Sequence, residues 1–289
     1  MKKITLGTWS TVGETLKGRM DLYQLIDLTA DLGFDGIDIT EDYLLNSAYT
    51  SVHDLNQIRK YSHKRGLPIT GTWYYLDLIA GIQTSSFDEI INQVSDLLAR
   101  NNLLEAPFLC IPLGEASPGM SLSEAHQINM ELFTRLIEVA REYGVRIVIE
   151  TARSSGVITT PEYTLKLVKE INSRYLGVAP DFEAWRHATD DLPLVHMESP
   201  GKLAAGPTSL DVFKECMAYT PYFHAKIIGL DEHGEEPHIP IPEMMKIIKE
   251  EPSDQILSVE YEGWIPDLKP DVDAIESLIR IKKLFEKYL

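Results

Sequence analysis

Four residues carried by or just after the last four of a series of short apolar runs have side chains suited to gripping a metal ion. Glu150 closes RIVIE (146–150), Asp181 follows LGVAP (176–180), His224 lies in FHAKII (223–228) and Glu260 closes ILSVE (256–260). A carboxylate ending an apolar strand is costly to bury unless it is paired, protonated or bound to a cation. Taken singly, Glu150 or Glu260 could ion-pair with a barrel Arg or Lys, and Asp181 could cap a turn. A lone histidine such as His224 is more often a hydrogen-bonded core residue than a ligand. At matched positions in four successive units, however, they point together to one metal centre. Three carboxylates and an imidazole suit a fairly hard divalent ion. Mn²⁺ is the expected cofactor, with Mg²⁺, Co²⁺ or Zn²⁺ as alternatives; zinc usually recruits more His or Cys. Three negative charges held together repel one another, which adds to the drive for cation binding.

Those positions acquire meaning only from the elements that carry them. Eight runs rich in β-branched and apolar residues recur, at 4–8, 36–40, 68–72, 108–113, 146–150, 176–180, 223–228 and 256–260. Between them, apolar residues repeat at helical spacing, as in Leu132, Leu136, Val139 and Ala140 or Ile275, Leu278, Ile281 and Phe285. Ser86 with Glu89 and Ser121 with Glu124 fit capping boxes, and Thr160-Pro161 puts proline at a first helical position. Strict alternation of strand and helix implies a parallel sheet, and eight such units imply closure into a (β/α)₈ TIM barrel, with 1–289 as one domain. An open doubly wound sheet would normally offer a Gly-rich phosphate loop after its first strand; TWSTVG (8–13) is not one.

The connections are unequal. Helix-to-strand joints such as Leu32-Gly33-Phe34-Asp35 are tight, whereas the segments 73–85, 113–120, 151–159, 182–208 and 229–239 after strands read as long loops. Long loops in compact domains are usually functional, and barrels build their sites at the strands' C-terminal ends. Trp9 and Trp73 follow strands on that face and could wall a sugar ring or simply pack. Lys226, two residues after His224, shares its side of the strand; it could stabilise an enolate oxygen or neutralise ligand charge. Arg153 could contact a substrate hydroxyl or phosphate, or be a solvated loop residue, and Glu115 is a weak candidate base.

The formal net charge is −17, and 44% of the 289 residues are hydrophobic. Nucleic-acid binding draws on Lys and Arg to neutralise phosphates, so this balance argues against DNA or RNA as partner. Cys110 and Cys216 are expected to be buried free thiols. No signal peptide or membrane-length apolar run is evident, which places the protein in the cytoplasm with no membrane partner. The histidines outside the site, including His53, His63, His126, His196, His233 and His238, fall in helix or loop contexts and are expected at the surface.

From ITLGTW and GFDGIDI to the closing EYEG, the chain resembles the xylose isomerase-like superfamily of sugar and sugar phosphate isomerases and epimerases. IVIE, APD, FHAK and SVEYEG look like that family's four ligand-bearing strands, so its ligands carry over as Glu150, Asp181, His224 and Glu260. The family's second strand often ends in an acidic residue, for which Glu41 is the candidate. The resemblance implies that Glu150 and Glu260 are also the proton-transfer groups: one removes a proton next to a carbonyl, giving a metal-stabilised enediolate, and the other returns a proton. Three departures stand out. Ala184 occupies the place of a substrate-binding histidine in Asp-x-x-His, which His187 could replace only by another loop path. Ile227 occupies the place of an aspartate after the strand-seven lysine, and the sixth loop is long, ending in Gly201-Lys202-Leu203-Ala204-Ala205-Gly206. The HAK and EYEG pattern is similar to the large subunit of C-glycoside-cleaving enzymes. That likeness leaves open a lyase acting on a 3-oxo glycoside or a polyol dehydratase. A non-catalytic sugar-binding barrel is a third reading. The partners expected are a small carbohydrate and a second copy of the chain, or a small partner subunit in the deglycosidase-like case.

Overall fold

Each of the eight apolar runs becomes a strand, and every boundary falls within two residues of the sequence reading. They are β1 (Lys2–Gly7), β2 (Ile37–Thr40), β3 (Ile69–Trp73), β4 (Phe108–Ile111), β5 (Arg146–Thr151), β6 (Leu176–Pro180), β7 (Tyr222–Ile227) and β8 (Gln255–Tyr261). The computed structural model describes residues 1–44, 49–114, 120–151, 160–187, 208–263 and 274–289. Neighbouring strands pair in parallel in the order β6-β5-β4-β3-β2-β1-β8-β7. A parallel bridge between Asp181 and His224 joins the two edge strands, so the sheet is a near-closed TIM barrel. Two of the proposed metal ligands therefore lie where the barrel shuts.

The helices are α1 (Val12–Leu16), α2 (Leu22–Asp31), α3 (Glu41–Leu44), α4 (Val52–Lys64), α5 (Leu78–Thr84), α6 (Phe87–Leu104), α7 (Leu122–Tyr143), α8 (Pro161–Ile171), α9 (Leu210–Cys216), α10 (Ile241–Glu250) and α11 (Ala274–Tyr288). The capping boxes at Ser86 and Ser121 form with both reciprocal bonds, and Thr160 caps α8 ahead of Pro161. Helix α7 buries Leu132, Phe133, Leu136 and Ala140 and stops at Gly144, whose φ of 68° suits glycine. The segment 73–85 is not the open loop its sequence suggests, because it contains α5. Leu78 and Ile79 at the start of α5 are buried, so their burial offsets the cost of ordering that connection. Among the described residues, no helix is long and apolar enough to cross a membrane.

Most of the core lies between strands and helices, where Leu6, Ile39, Leu109, Ile149, Val178 and Ala225 meet the helical stripes. A second, smaller cluster of Cys110, Val148, Ala179 and Tyr222 fills the barrel's interior. Both cysteines are buried and unpaired, as expected. Residues two apart on a strand share a face, so the interior positions Val148, Ala179 and Tyr222 fix Glu150, Asp181 and His224 as inward-facing one step higher.

Glycine sets the strand spacing at one tight approach. A Cβ on Gly36, just before β2, would lie 2.6 Å from Thr70 Cγ2 and 2.9 Å from the Pro68 carbonyl oxygen. That carbonyl accepts the Ile37 N–H, so β3 cannot retreat without losing the pairing. Gly36→Ala is expected to lower stability by about 1–3 kcal/mol through overpacking. Urea unfolding measures this, and an unchanged midpoint would show that the strands have room to spare.

Candidate metal centre

One coordinating atom from each of Glu150, Asp181, His224 and Glu260 lies within 4.8 Å of the others. Glu150, Asp181 and Glu260 come from the C-terminal ends of β5, β6 and β8 and His224 from the middle of β7, and their relative exposures are 9%, 1%, 4% and 0%. His224 Nδ1 is 2.5 Å from Glu150 Oε1 and 3.6 Å from Glu260 Oε1. The other oxygen of Glu150 accepts the indole N–H of Trp73 at 2.8 Å, which fixes the carboxylate's rotation.

A second ring of charge lies one step further out, again at a spacing of two residues. Lys226 Nζ is 2.7 Å from Asp181 and 3.1 Å from Glu262, with Glu183 at 3.7 Å and Glu260 at 3.8 Å. The site therefore gathers Glu150, Asp181, Glu183, Glu260 and Glu262 around a single lysine and a single imidazole. Five carboxylates face three cationic groups, Lys226, His224 and Arg186, the last 3.7 Å from Glu183, and the inner three carboxylates leave a deficit that a divalent ion would fill. The inner donor set, three carboxylates and one imidazole, fits such an ion.

The proton affinities register the same crowding. Burial pushes the Glu260 carboxyl up to about 7, although His224 and Lys226 pull it back. Burial likewise raises Asp181 well above the usual carboxylate range despite Lys226. Glu150 goes the other way: burial would raise it, but His224, Lys226 and the Trp73 hydrogen bond outweigh that and hold it low. Burial disfavours protonation of His224, yet Glu260, Cys110 and Glu150 prevail and lift it well above its ordinary value. Lys226 also remains firmly charged, since Asp181, Glu262 and Glu183 outweigh its burial.

Above this floor is a cavity of about 210 Å³. Trp9, Trp73 and Tyr75 form one wall, with ring centroids 6.5 Å apart for the tryptophans and 6.4 Å for Trp73 and Tyr75. Glu183, Lys226 and Glu262 line the acidic rim. Beneath the floor, Asp38 from β2 is fully buried and accepts hydrogen bonds from the Tyr222 hydroxyl and, at 3.1 Å, from Ser258 Oγ.

The structure thus brings together Glu150, Asp181, His224, Glu260, Lys226, Trp9 and Trp73. Glu41 stands behind the wall, its carboxylate accepting the Tyr75 backbone N–H at 3.0 Å. His187 is exposed, and its backbone N–H bonds the His238 carbonyl; its side chain is not among the residues lining the cavity. Ala184, at the place of the missing histidine, is buried. Arg153, Glu115 and Gly201–Gly206 lie outside the described residues. His238, expected at the surface, is instead 8% exposed, with its N–H on Glu236. Glu183, Glu262, Tyr75 and Asp38 escaped the sequence reading. Glu262 stands two residues beyond Glu260 on the continuation of β8, so the period that placed Lys226 could have found it, whereas Glu183 lies in the 3-10 turn Phe182–Trp185, where that period does not hold.

The chain belongs to the xylose isomerase-like TIM barrel family, whose model matches residues 26–283. Among curated proteins it is similar to the C-glycoside deglycosidase alpha subunit of Arthrobacter globiformis, at 39% identity over 59 residues, 20% of this chain and 16% of that protein. Among solved structures, L-ribulose 3-epimerase has a TM-score of 0.74 at 14% identity, covering 100% of this chain and 95% of that one. The IOLI protein with a binding zinc atom has a TM-score of 0.72 at 15% identity, covering 99% of both chains. At these identities the structural likeness shows the fold alone.

Two outcomes follow for the cluster. Adding Mn²⁺ at about 100 times its Kd should stabilise the protein by about 2.7 kcal/mol, seen as a rise in thermal unfolding temperature. Glu260→Gln or His224→Ala should erase that rise, and an equal rise in these variants would place the ion elsewhere. Because cation uptake must displace the protons held by Glu260, Asp181 and His224, affinity should climb as pH rises through the Glu260 value of about 7. Calorimetric titration across that range checks the sign; affinity that is flat or falls with pH would contradict it.

Proposed function

We propose that this protein is a divalent-cation-dependent isomerase or epimerase of a small sugar, free or phosphorylated, working by proton transfer next to a carbonyl. The observation that carries this reading is the convergence of Glu150 and Glu260 on one imidazole at the cavity floor, with His224 Nδ1 2.5 Å from Glu150 Oε1 and 3.6 Å from Glu260 Oε1. Two carboxylates facing one cavity can act as the base and the acid of a proton transfer. Glu150, held ionised, takes the proton from the carbon beside the carbonyl, and the C–H electron pair moves to give an enediolate. Glu260 delivers a proton, replenished from solvent, to the opposite face for epimerisation, or to the neighbouring carbon for isomerisation. A divalent cation, Mn²⁺ by preference, held by Glu150, Asp181, His224 and Glu260 would supply Lewis-acid stabilisation of the developing oxygen charge. Trp9, Trp73 and Tyr75 stack on the apolar face of the sugar and exclude water. Lys226 offers its ammonium to a substrate oxygen while holding Asp181 and Glu262 in place.

A second reading, elimination from a 3-oxo glycoside, has the local 39% identity to a deglycosidase alpha subunit in its favour. It begins with the same proton removal and ends in loss of an aglycone, and the word subunit in that relative's name raises a partner chain for it. Incubation with Mn²⁺ and free or phosphorylated ketoses in heavy water separates the two. Deuterium at the carbon beside the carbonyl, with the skeleton intact, is the expected result. Glu150→Gln and Glu260→Gln should each lower kcat by about 10²-fold or more. Release of an aglycone from a 3-oxo glycoside, with no exchange into ketoses, would replace the first reading by the second.

A further inference from the structure

Two buried polar atoms under the candidate metal centre have no hydrogen-bond partner, and they belong to neighbouring residues: His224 Nε2 and Asp38 Oδ1. The nearer carboxylate oxygen, Asp38 Oδ2, is 3.9 Å from His224 Nε2, longer than a hydrogen bond, and both side chains are fully buried. Among the described residues, His224 is the one basic group within ion-pairing distance of Asp38. We propose that Asp38 is a positioning residue for the metal centre, whose carboxylate directs the ring proton of His224 to Nε2 and so frees Nδ1 as a ligand.

The reasoning follows from the ring itself. His224 turns Nδ1 toward Glu150 and Glu260, so any cation among those carboxylates meets the Nδ1 lone pair. A neutral imidazole that ligates through one nitrogen carries its proton on the other. That Nε2–H would be buried, and a buried donor needs an acceptor. The Cys110 thiol also abuts the ring, but sulfur accepts weakly. The carboxylate of Asp38 is the strong acceptor on that side.

The surroundings of Asp38 hold it where this role requires. Tyr222 and Ser258 donate to its Oδ2, and each stands two residues before a proposed ligand, His224 and Glu260, on the same inward face. Gly71 on β3 leaves the necessary space: a Cβ there would lie 3.1 Å from Asp38 Oδ1 and 3.1 Å from Tyr222 Cε2. Strands β2, β3, β7 and β8 thus build one support under one imidazole. Partners of this kind behind a ligating histidine fix its orientation and raise its basicity.

The inference depends on the cluster being a cation site, and the experiment tests the two separately. Calorimetric titration with Mn²⁺ compares the parent with Asp38→Asn, which keeps an acceptor for Tyr222 and Ser258 but loses the charge. Affinity should fall about 10- to 100-fold, with the thermal unfolding of the cation-free protein little changed. Equal affinity in the two proteins overturns the proposal. Nitrogen-15 spectra of the labelled parent, loaded with diamagnetic Mg²⁺ or Zn²⁺, give a readout that needs no variant. A proton on Nε2 of His224 supports the role, and a proton on Nδ1 overturns it. A parent that binds no divalent ion overturns both the inference and the metal centre. A parent that binds Mn²⁺ but exchanges no proton into any ketose overturns the reaction alone, and the two readings above still decide the role of Asp38.

Discussion

Crowding of buried carboxylates is the constraint around which the upper end of this barrel is organised. Glu150, Asp181 and Glu260 converge on His224 with almost no access to water. Like charges so close and so dry cannot all be ionised unless something positive answers them. Part of the answer is local: Lys226 bridges Asp181 and Glu262, while Glu260 and Asp181 are driven toward protonation. The rest is a standing demand for positive charge. Strain of this sort at one end of an otherwise apolar fold is what a functional site costs.

The fold delivers that crowding through two simple periodicities. Parallel pairing brings β5 to β8 side by side, and the alternation of side chains turns one residue in two inward. Closure between β6 and β7 occurs at Asp181 and His224 themselves, so assembling the barrel and assembling the site are the same event. The inner face can then be read in tiers. Asp38, Tyr222 and Ser258 form a hydrogen-bonded base; Glu150, Asp181, His224 and Glu260 stand above them; Glu183, Lys226 and Glu262 form the rim. The aromatic wall is tied to the acidic floor by the Trp73 indole on Glu150. A change in the wall is therefore felt by the floor.

Much of this was legible in the sequence, for physical reasons. Strands buried on both faces read as continuous apolar runs, which is why all eight appeared at their true places. Glu150 and Glu260 stood out because a carboxylate is conspicuous at the end of such a run. Asp38 was hidden by the same logic: inside Ile37-Asp38-Ile39-Thr40 it looks like one polar residue in a strand, and its value comes from Tyr222 and Ser258, far away in the chain. His187 could replace the histidine absent at Ala184 only by another loop path, and sequence distance carried no information on the path of the chain after the short 3-10 turn of Phe182–Trp185. The buried place of His238 was likewise invisible, since it depends on Glu236 folding back onto the backbone of Ile228 and Gly229.

The most direct test of the central claim is a crystal grown with Mn²⁺ and examined for anomalous scattering. A single strong peak should lie among Glu150, Asp181, His224 Nδ1 and Glu260, within coordinating reach of each donor atom. A cluster with no peak at saturating Mn²⁺, its carboxylates answered by Lys226 and protons alone, would contradict the account.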